Sequence, residues 1–460
     1  VSADLVGTAR RYVDTGEFAT ELAALVAHRT ESADAAACDA YLAEALTPIL
    51  TGLGCAVARH PNPDPAAGPF LVGTRVEGAG LPTLLLYGHA DVVDGQAGRW
   101  SGGRDPWTLS VEGDRYYGRG AADNKGQHLI NLAALRVLLD GRGALGFNLT
   151  VLIETGEEIG SPGLVEFIAA HRAELRADVL IASDGPRVDA ATPTLFLGAR
   201  GGVTLELDVD LRPGAHHSGN RGGVLRNPAT TLSGAIATLV DGHGRILVPA
   251  LRPPALPADV REALAEIPVD GDPGWGEPGL SPAERLYGWN TLEVLALGSA
   301  DVDRPVNAIP GRARAVLQLR HVVGTDTDRV PAAVAEHLAG HGYDMVRVTA
   351  HSGFPASRTP LDDPWLGWAR RELERAAGGP VAVLPNIGGG LPNHAFRDLL
   401  GLPTLWLPHS YPGCRQHAPD EHLPVAIARD GIGLAVVLFD ALGHPTADDP
   451  LPAGPYAPRA

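Results

Sequence analysis

The chain mixes short, unbroken apolar runs with segments whose apolar residues recur every three or four positions. Leu22, Leu25 and Val26, continued by Cys38, Tyr41, Leu42, Leu46 and Leu50, carry helical spacing and predict a largely helical start. Four apolar runs follow, at Thr83–Tyr87, Leu149–Ile153, Val179–Ala182 and Thr404–Leu407, each running into polar residues. Runs that do not alternate predict strands buried on both faces. Between them, Leu129, Leu132, Leu135 and Leu139 share one face of a predicted helix over Lys125–Leu139. Strands alternating with helices predict an α/β fold, a mostly parallel sheet with helices on both faces.

From about Gly201 the pattern changes. Thr204–Leu211 and Ala313–Arg320 alternate strictly, as strands with one wet face do, and Met345–Thr349 adds a third. Asn227–Val240, opened by Asn227-Pro228, and Arg329–Leu338 read as helices. This β-α-β-α-β order predicts a smaller α+β domain, ferredoxin-like, over residues 201–357. It is inserted into a domain made of residues 1–200 and 358–460. Residues 250–300, rich in Pro and Gly, read as an excursion within the insert.

A chain of 460 residues exceeds one core, which stops growing near roughly 250–300 residues, so two domains fit the length. With 45% hydrophobic and 20% charged residues the composition is that of a folded globular chain. A net charge of −17 argues against a nucleic-acid partner, and Lys125 is the sole lysine. No apolar run reaches the ~18–20 residues of a membrane span. The stretch from Val1 lacks the basic-then-apolar layout of a secretory signal. Cys38, Cys55 and Cys414 are too few for a disulfide framework and suit a reducing compartment. The expectation is a cytoplasmic two-domain enzyme or binding protein.

In open parallel sheets, ligands bind beyond the carboxyl ends of the strands. The acids and histidines of interest lie there. His89 and Asp91 are two apart, so both project from one face of extended chain. Asp123 stands in a glycine-dense loop, Gly118 to Gly126, that leads into a helix. Glu157 and Glu158 are adjacent and point different ways, and Asp184 follows another buried run. His417 competes with His394, His409 and His422 for a role. Singly, each residue also reads as an ordinary strand-end pair, solvated loop or turn. Jointly, imidazoles and carboxylates converging on one point repel unless cations neutralise them, and mixed N/O donors suit Zn²⁺ or a similar ion.

The strings YGHADVVDG, YGRGAADNKG, ETGEEIGSPG, ASDG and CRQHAPDEH fall at these strand ends. In order and over essentially the whole chain, they resemble the co-catalytic dizinc metallopeptidases. That family includes acetylornithine deacetylase, succinyl-diaminopimelate desuccinylase, aminoacylase, carnosine dipeptidase and glutamate carboxypeptidase. The resemblance implies two divalent ions per chain, Zn²⁺ first and Co²⁺ or Mn²⁺ as alternatives. It implies His89, Asp123, Glu158, Asp184 and His417 as their ligands, with Asp123 bridging. Glu157 then matches the general base and Asp91 the acid behind His89. His217, in His216-His217-Ser218-Gly219, matches an oxyanion-stabilising histidine of the dipeptidase branch, often supplied across a homodimer formed through the inserted lid. Asn307 and Arg320 match contacts to the substrate carboxylate. Gly389 and Gly390 lie in a loop where the family commonly has serine at the position of Gly390. The implied reaction is hydrolysis of the amide bond of a dipeptide or small N-acyl amino acid. A strict N-deacylase is the alternative, and a non-catalytic metal-binding relative the alternative of another class.

Overall fold

A computed structural model describes residues 3–253, 255–351, 353–447 and 449–455. Val1 and the last five residues of the 358–460 segment lie outside that set. The chain divides into two compact units. The first comprises residues 1–198, 358–385 and 391–460; the second comprises 199–357 and 386–390.

The first unit is built on an eight-stranded sheet. Its strands are β1 (Ala56–His60), β2 (Phe70–Arg75), β3 (Thr83–His89), β4 (Asn148–Glu154), β5 (Val179–Ala182) and β6 (Thr194–Phe196). After the second unit, whose main sheet takes β7 to β10 as given below, the chain returns with β11 (Ala382–Leu384) and β12 (Thr404–Trp406). The order across the sheet is β1-β2-β4-β3-β5-β12-β6-β11. The centre, β4-β3-β5-β12, is parallel, while β2 runs against both its neighbours and β6 runs against β12. The parallel centre is covered on both faces, and its strands are correspondingly buried; from Leu84 to His89 every residue of β3 is buried.

Helices α1 (Ala3–Asp14), α2 (Lys125–Arg142), α3 (Leu164–Ala170), α6 (Pro364–Ala377) and α7 (Val425–Gly443) belong to the same unit, α4 and α5 to the other. Helix α2 is buried from Lys125 to Leu135. It ends where Gly143 turns left-handed (φ 78°) and donates its N–H to the carbonyl of Leu139. α7 packs against α1, α2 and α6, and their apolar faces join the central strands in one core.

The second unit holds β7 (Gly201–Asp210), α4 (Pro228–Leu239), β8 (Thr291–Gly298), β9 (Arg312–His321), α5 (Val330–Gly340) and β10 (Arg347–Ala350). This β-α-β-β-α-β chain forms an antiparallel sheet ordered β8-β9-β7-β10. α4 lies on β7 and β9, and α5 on β10. In β9 buried and less buried residues alternate, which puts Ala313, Ala315, Leu317 and Leu319 into the core under the helices. β8 lies inside the stretch read from sequence as an excursion. It occupies the sheet edge, and Val294, Leu295 and Leu297 are exposed there, so no in-and-out alternation marks it.

Candidate metal centre

β3 delivers His89 at its last residue, and the chain continues through Ala90 to Asp91; both side chains are fully buried. The carboxylate of Asp91 accepts three hydrogen bonds: Ser32 Oγ at 2.8 Å, the N–H of Glu157 at 3.1 Å and the N–H of Glu158 at 3.2 Å. Asp91 also stands behind His89. His89 Nδ1 is 2.9 Å from the backbone carbonyl of Asp91 and 3.5 Å from its carboxylate, because that carboxylate already serves the loop after β4. A proton on Nδ1 shared with a carbonyl leaves the Nε2 lone pair free to face the donors opposite.

Asp123 lies between two imidazoles. Its Oδ1 is 3.2 Å from His89 Nε2 and its Oδ2 is 3.3 Å from His417 Nε2. On the first side Asp184 Oδ2 is 3.5 Å from His89 Nε2, and Glu157 Oε2 is 4.0 Å away. On the second side Glu158 Oε2 is 2.9 Å from His417 Nε2. The adjacent glutamates thus face different histidines. His89 with Asp123 and Glu158, and His89 with Glu157 and Asp184, each offer three donor atoms within 4.8 Å of one another.

The other histidines do not join these contacts. His409 is fully buried with no hydrogen-bond partner on either nitrogen, His394 is partly buried with Nδ1 unpaired, and His422 faces the carbonyl of Asp420. His417 reaches the carboxylates from a left-handed backbone (φ 62°), held by Gln96 Nε2 on its carbonyl at 3.0 Å.

The donor set fits divalent cations. Asp184 Oδ2 and Glu158 Oε1 are buried without hydrogen-bond partners, a costly condition that a cation relieves. Burial, reinforced by neighbouring carboxylates, pushes Glu157 well above the usual carboxylate range, Asp184 upward, and Glu158 to about 7. Burial acts on Asp123 too, but hydrogen bonds with His417 and His89 outweigh it and hold the group low. Hydrogen bonds that His417 donates to Asp123 and Glu158 raise it to about 11. Against burial, hydrogen bonds to Asp123, Asp184 and Asp91 likewise raise His89, and metal ions displace the protons such histidines hold when they bind. His89, Asp123 and Asp184 suit one ion, and Asp123, Glu158 and His417 a second.

Two supporting residues carry no mark in the sequence beyond their place in the matching strings. The buried carboxylate of Glu421 accepts the N–H groups of Gly120, Ala122 and Asp123 at 2.9 to 3.1 Å and pairs with Arg119 at 2.7 Å. It fixes the loop that presents Asp123. Lys125 is buried, with Nζ donating to the carbonyls of Leu25 (3.0 Å) and His28 (2.6 Å), and burial lowers it to about 7.

The remaining candidates lie in the second unit. His217 is exposed and pairs with Ala308 across a two-residue ladder, while Ser218 donates its N–H to the carbonyl of Asn307 at 2.9 Å. Asn307 is exposed as well. The guanidinium of Arg320 lies 5.5 Å from the Phe354 ring centre, and its buried Nη1 has no hydrogen-bond partner. Gly389 has open space where a side chain would project, whereas a Cβ on Gly390 would run into the Phe354 ring. That ring explains why serine is absent from position 390.

Comparison with known proteins supplies an independent line. The model for "Peptidase family M20/M25/M40" matches residues 85–440. A cysteinylglycine-S-conjugate dipeptidase from Corynebacterium striatum is 32% identical over 327 residues, 69% of this chain and 71% of that protein. A beta-Ala-His dipeptidase from Rattus norvegicus is 25% identical over 397 residues, 82% of this chain and 80% of that protein. Among solved structures, an M20 family metallo-carboxypeptidase from Sulfolobus solfataricus superposes with a TM-score of 0.79 at 25% identity. That match covers 93% of this chain and 99% of the other.

Proposed function

The chain belongs to peptidase family M20/M25/M40, a metallohydrolase acting on peptide bonds, and on that premise we propose dipeptides as its substrates and a role for each site residue. We assign His89, Asp123 and Asp184 to one divalent ion and Asp123, Glu158 and His417 to a second, with Zn²⁺ as the ion. The observation that carries this is Asp123 itself, one carboxylate oxygen at 3.2 Å from His89 and the other at 3.3 Å from His417.

When bound, such a pair of ions supplies Lewis acidity at the scissile carbonyl and lowers the pKa of the attacking water. Glu157 takes that water's proton and delivers it to the departing amine. A carboxyl raised by burial and by the charges of Asp184, Glu158 and Asp123 is tuned in the direction a base requires. Asp91 fixes the backbone of both glutamates and, through its carbonyl, the tautomer of His89.

In this reading the catalytic domain is residues 1–200 with 358–460, and the segment 201–357 is a ferredoxin-like lid. His217 stabilises the tetrahedral oxyanion. Asn307 and Arg320 hold the substrate carboxylate; the unpaired Nη1 of Arg320 supports its share of that task. Gly389 and Gly390 line the substrate's other end. The lid pairs two subunits through β8, whose exposed Val294, Leu295 and Leu297 on an open sheet edge favour a second copy. Three free, buried cysteines support a cytoplasmic setting. Net charge −17 disfavours nucleic acid, and among the described residues no helix is long and apolar enough to cross a membrane.

The test is a hydrolysis screen of dipeptides and N-acyl amino acids with Zn²⁺-loaded protein, before and after chelation. Dipeptide turnover lost on chelation and restored by Zn²⁺ is expected. Turnover of N-acyl amino acids alone would make the protein a strict deacylase.

A further inference from the structure

Away from the catalytic donors, two histidines and a glutamate meet at the edge of the large sheet. His60 is the last residue of the edge strand β1, while His171 caps the C-terminal end of α3 and Glu174 follows three residues later. One donor atom from each lies within 4.8 Å of the other two. Glu174 stands between the rings, with Oε2 2.9 Å from His171 Nδ1 and Oε1 3.7 Å from His60 Nε2. Tetrahedral ligands at Zn–N and Zn–O bonds of about 2.0–2.1 Å sit roughly 3.3 Å apart, between those two distances.

A second observation points to a ligand at this spot. His60 Nε2 is buried and has no hydrogen-bond partner, because the carboxylate at 3.7 Å is too far to serve. A buried ring nitrogen with no partner, facing a carboxylate and a second imidazole, has a lone pair to offer a cation. The rings are also held in place. His171 stacks on Phe167 at 4.3 Å, Phe167 stacks on Phe70 at 4.3 Å, and His60 meets His171 edge-on at 4.6 Å.

We propose that His60, His171 and Glu174 form a further divalent-metal site, taking Zn²⁺ or a similar borderline ion and fastening β1 to the turn after α3. Two imidazoles with one carboxylate select Zn²⁺, Co²⁺, Ni²⁺ or Cu²⁺ over Ca²⁺ and Mg²⁺, which prefer oxygen. Three protein ligands at a partly exposed position leave the fourth place to water. β1 is separated from β3 by β2 and β4, three strand spacings of about 4.8 Å, so this ion and those at His89 are independent. The consequence is structural: the ion staples an edge strand whose other flank has no partner strand.

The experiment compares the wild-type holoenzyme with His60→Gln and Glu174→Gln. All three are dialysed against buffered micromolar Zn²⁺, desalted and analysed for zinc per chain, with hydrolysis measured in parallel. Each variant is expected to hold one ion fewer than wild type and to keep its hydrolytic rate. The readout is this difference, so it stands whatever number the catalytic donors retain. Co²⁺ substitution supplies a second measurement, a tetrahedral absorption component present in wild type and missing from both variants. Equal zinc content in all three proteins overturns the proposal. So does loss of one ion together with activity, since that ion would belong to the catalytic centre.

Discussion

The carboxylate of Asp91 accepts the backbone N–H of Glu157 at 3.1 Å, so an acid at the end of one strand sets the position of a glutamate after the next. Its second oxygen takes the N–H of Glu158 and the hydroxyl of Ser32. Asp91→Asn replaces one acceptor oxygen with an NH₂ that faces a donor. Turnover and metal affinity are expected to fall roughly 10–100-fold, as for other residues that orient ligands. Steady-state kinetics and chelator competition measure both; if neither changes, Asp91 does not organise the site.

Glu157→Gln keeps the shape of the side chain and removes its ability to accept a proton. Metal content is expected to stay at the wild-type level while kcat drops about 10²–10⁴-fold. A variant that loses a metal ion instead would make Glu157 a ligand, in line with its 4.0 Å distance from His89.

If His217 acts as proposed, the His217→Ala and Glu157→Gln proteins are each expected to be nearly inactive. Mixing them under subunit exchange restores part of the activity if His217 serves the partner's site, because one site per heterodimer is then whole. Exchange without recovery would place His217 in its own chain's site, and an active His217→Ala protein would remove it from the mechanism.

Gly390→Ser forces a side chain into the Phe354 ring, and overpacking of this kind costs about 1–3 kcal/mol. Phe354→Ala introduced beside it is expected to recover stability, and the pair should depart from additivity in a double-mutant cycle by chemical denaturation. Strict additivity would show that the ring and residue 390 do not compete for space.

Asp208 pairs with Arg312 and Arg347, each at 2.5 Å, and these bonds overcome burial to hold its carboxyl below the usual range. A folded-state value below the unfolded one contributes stability that is complete above the unfolded value, about 3.9, and is lost as pH falls through the folded value. Both arginines are more than half exposed, so solvent screening limits the contribution to about 1 kcal/mol or less. Asp208→Asn is therefore expected to flatten the acid side of the stability–pH curve and leave its slope above pH about 6 unchanged. Parallel curves below pH about 4 would refute this.

The central strands were legible because burial on both faces leaves an unbroken apolar run, as in Leu84, Leu85 and Leu86, and the chemistry follows where such a run stops. β8 was not, since an edge strand with Val294 and Leu297 both exposed carries no alternation to read. Composition and spacing left His417 level with His409; the resemblance of the CRQHAPDEH string picked it out, and the left-handed backbone at Arg415 and His417 is the physical reason its imidazole reaches Asp123. The partnership of His60 with His171 was likewise hidden, because no local pattern links residues more than a hundred positions apart. Glu421 shows the same limit, with its three loop N–H partners some three hundred residues upstream.

The chain's sole lysine has a practical consequence. Lys125 is fully buried, its amine tied to the carbonyls of Leu25 and His28 and lying 4.8 Å from the Tyr41 ring centre. Every cationic side chain on the native surface is then a guanidinium or an imidazole, and acylating reagents meet no accessible lysine. Acylation at Lys125 therefore clocks the opening of the N-terminal turn of α2, beside Asp123. In a pulse-labelling experiment the modified Lys125 peptide, read apart from any label on the α-amine, would report how often the protein loosens around the loop that carries Asp123.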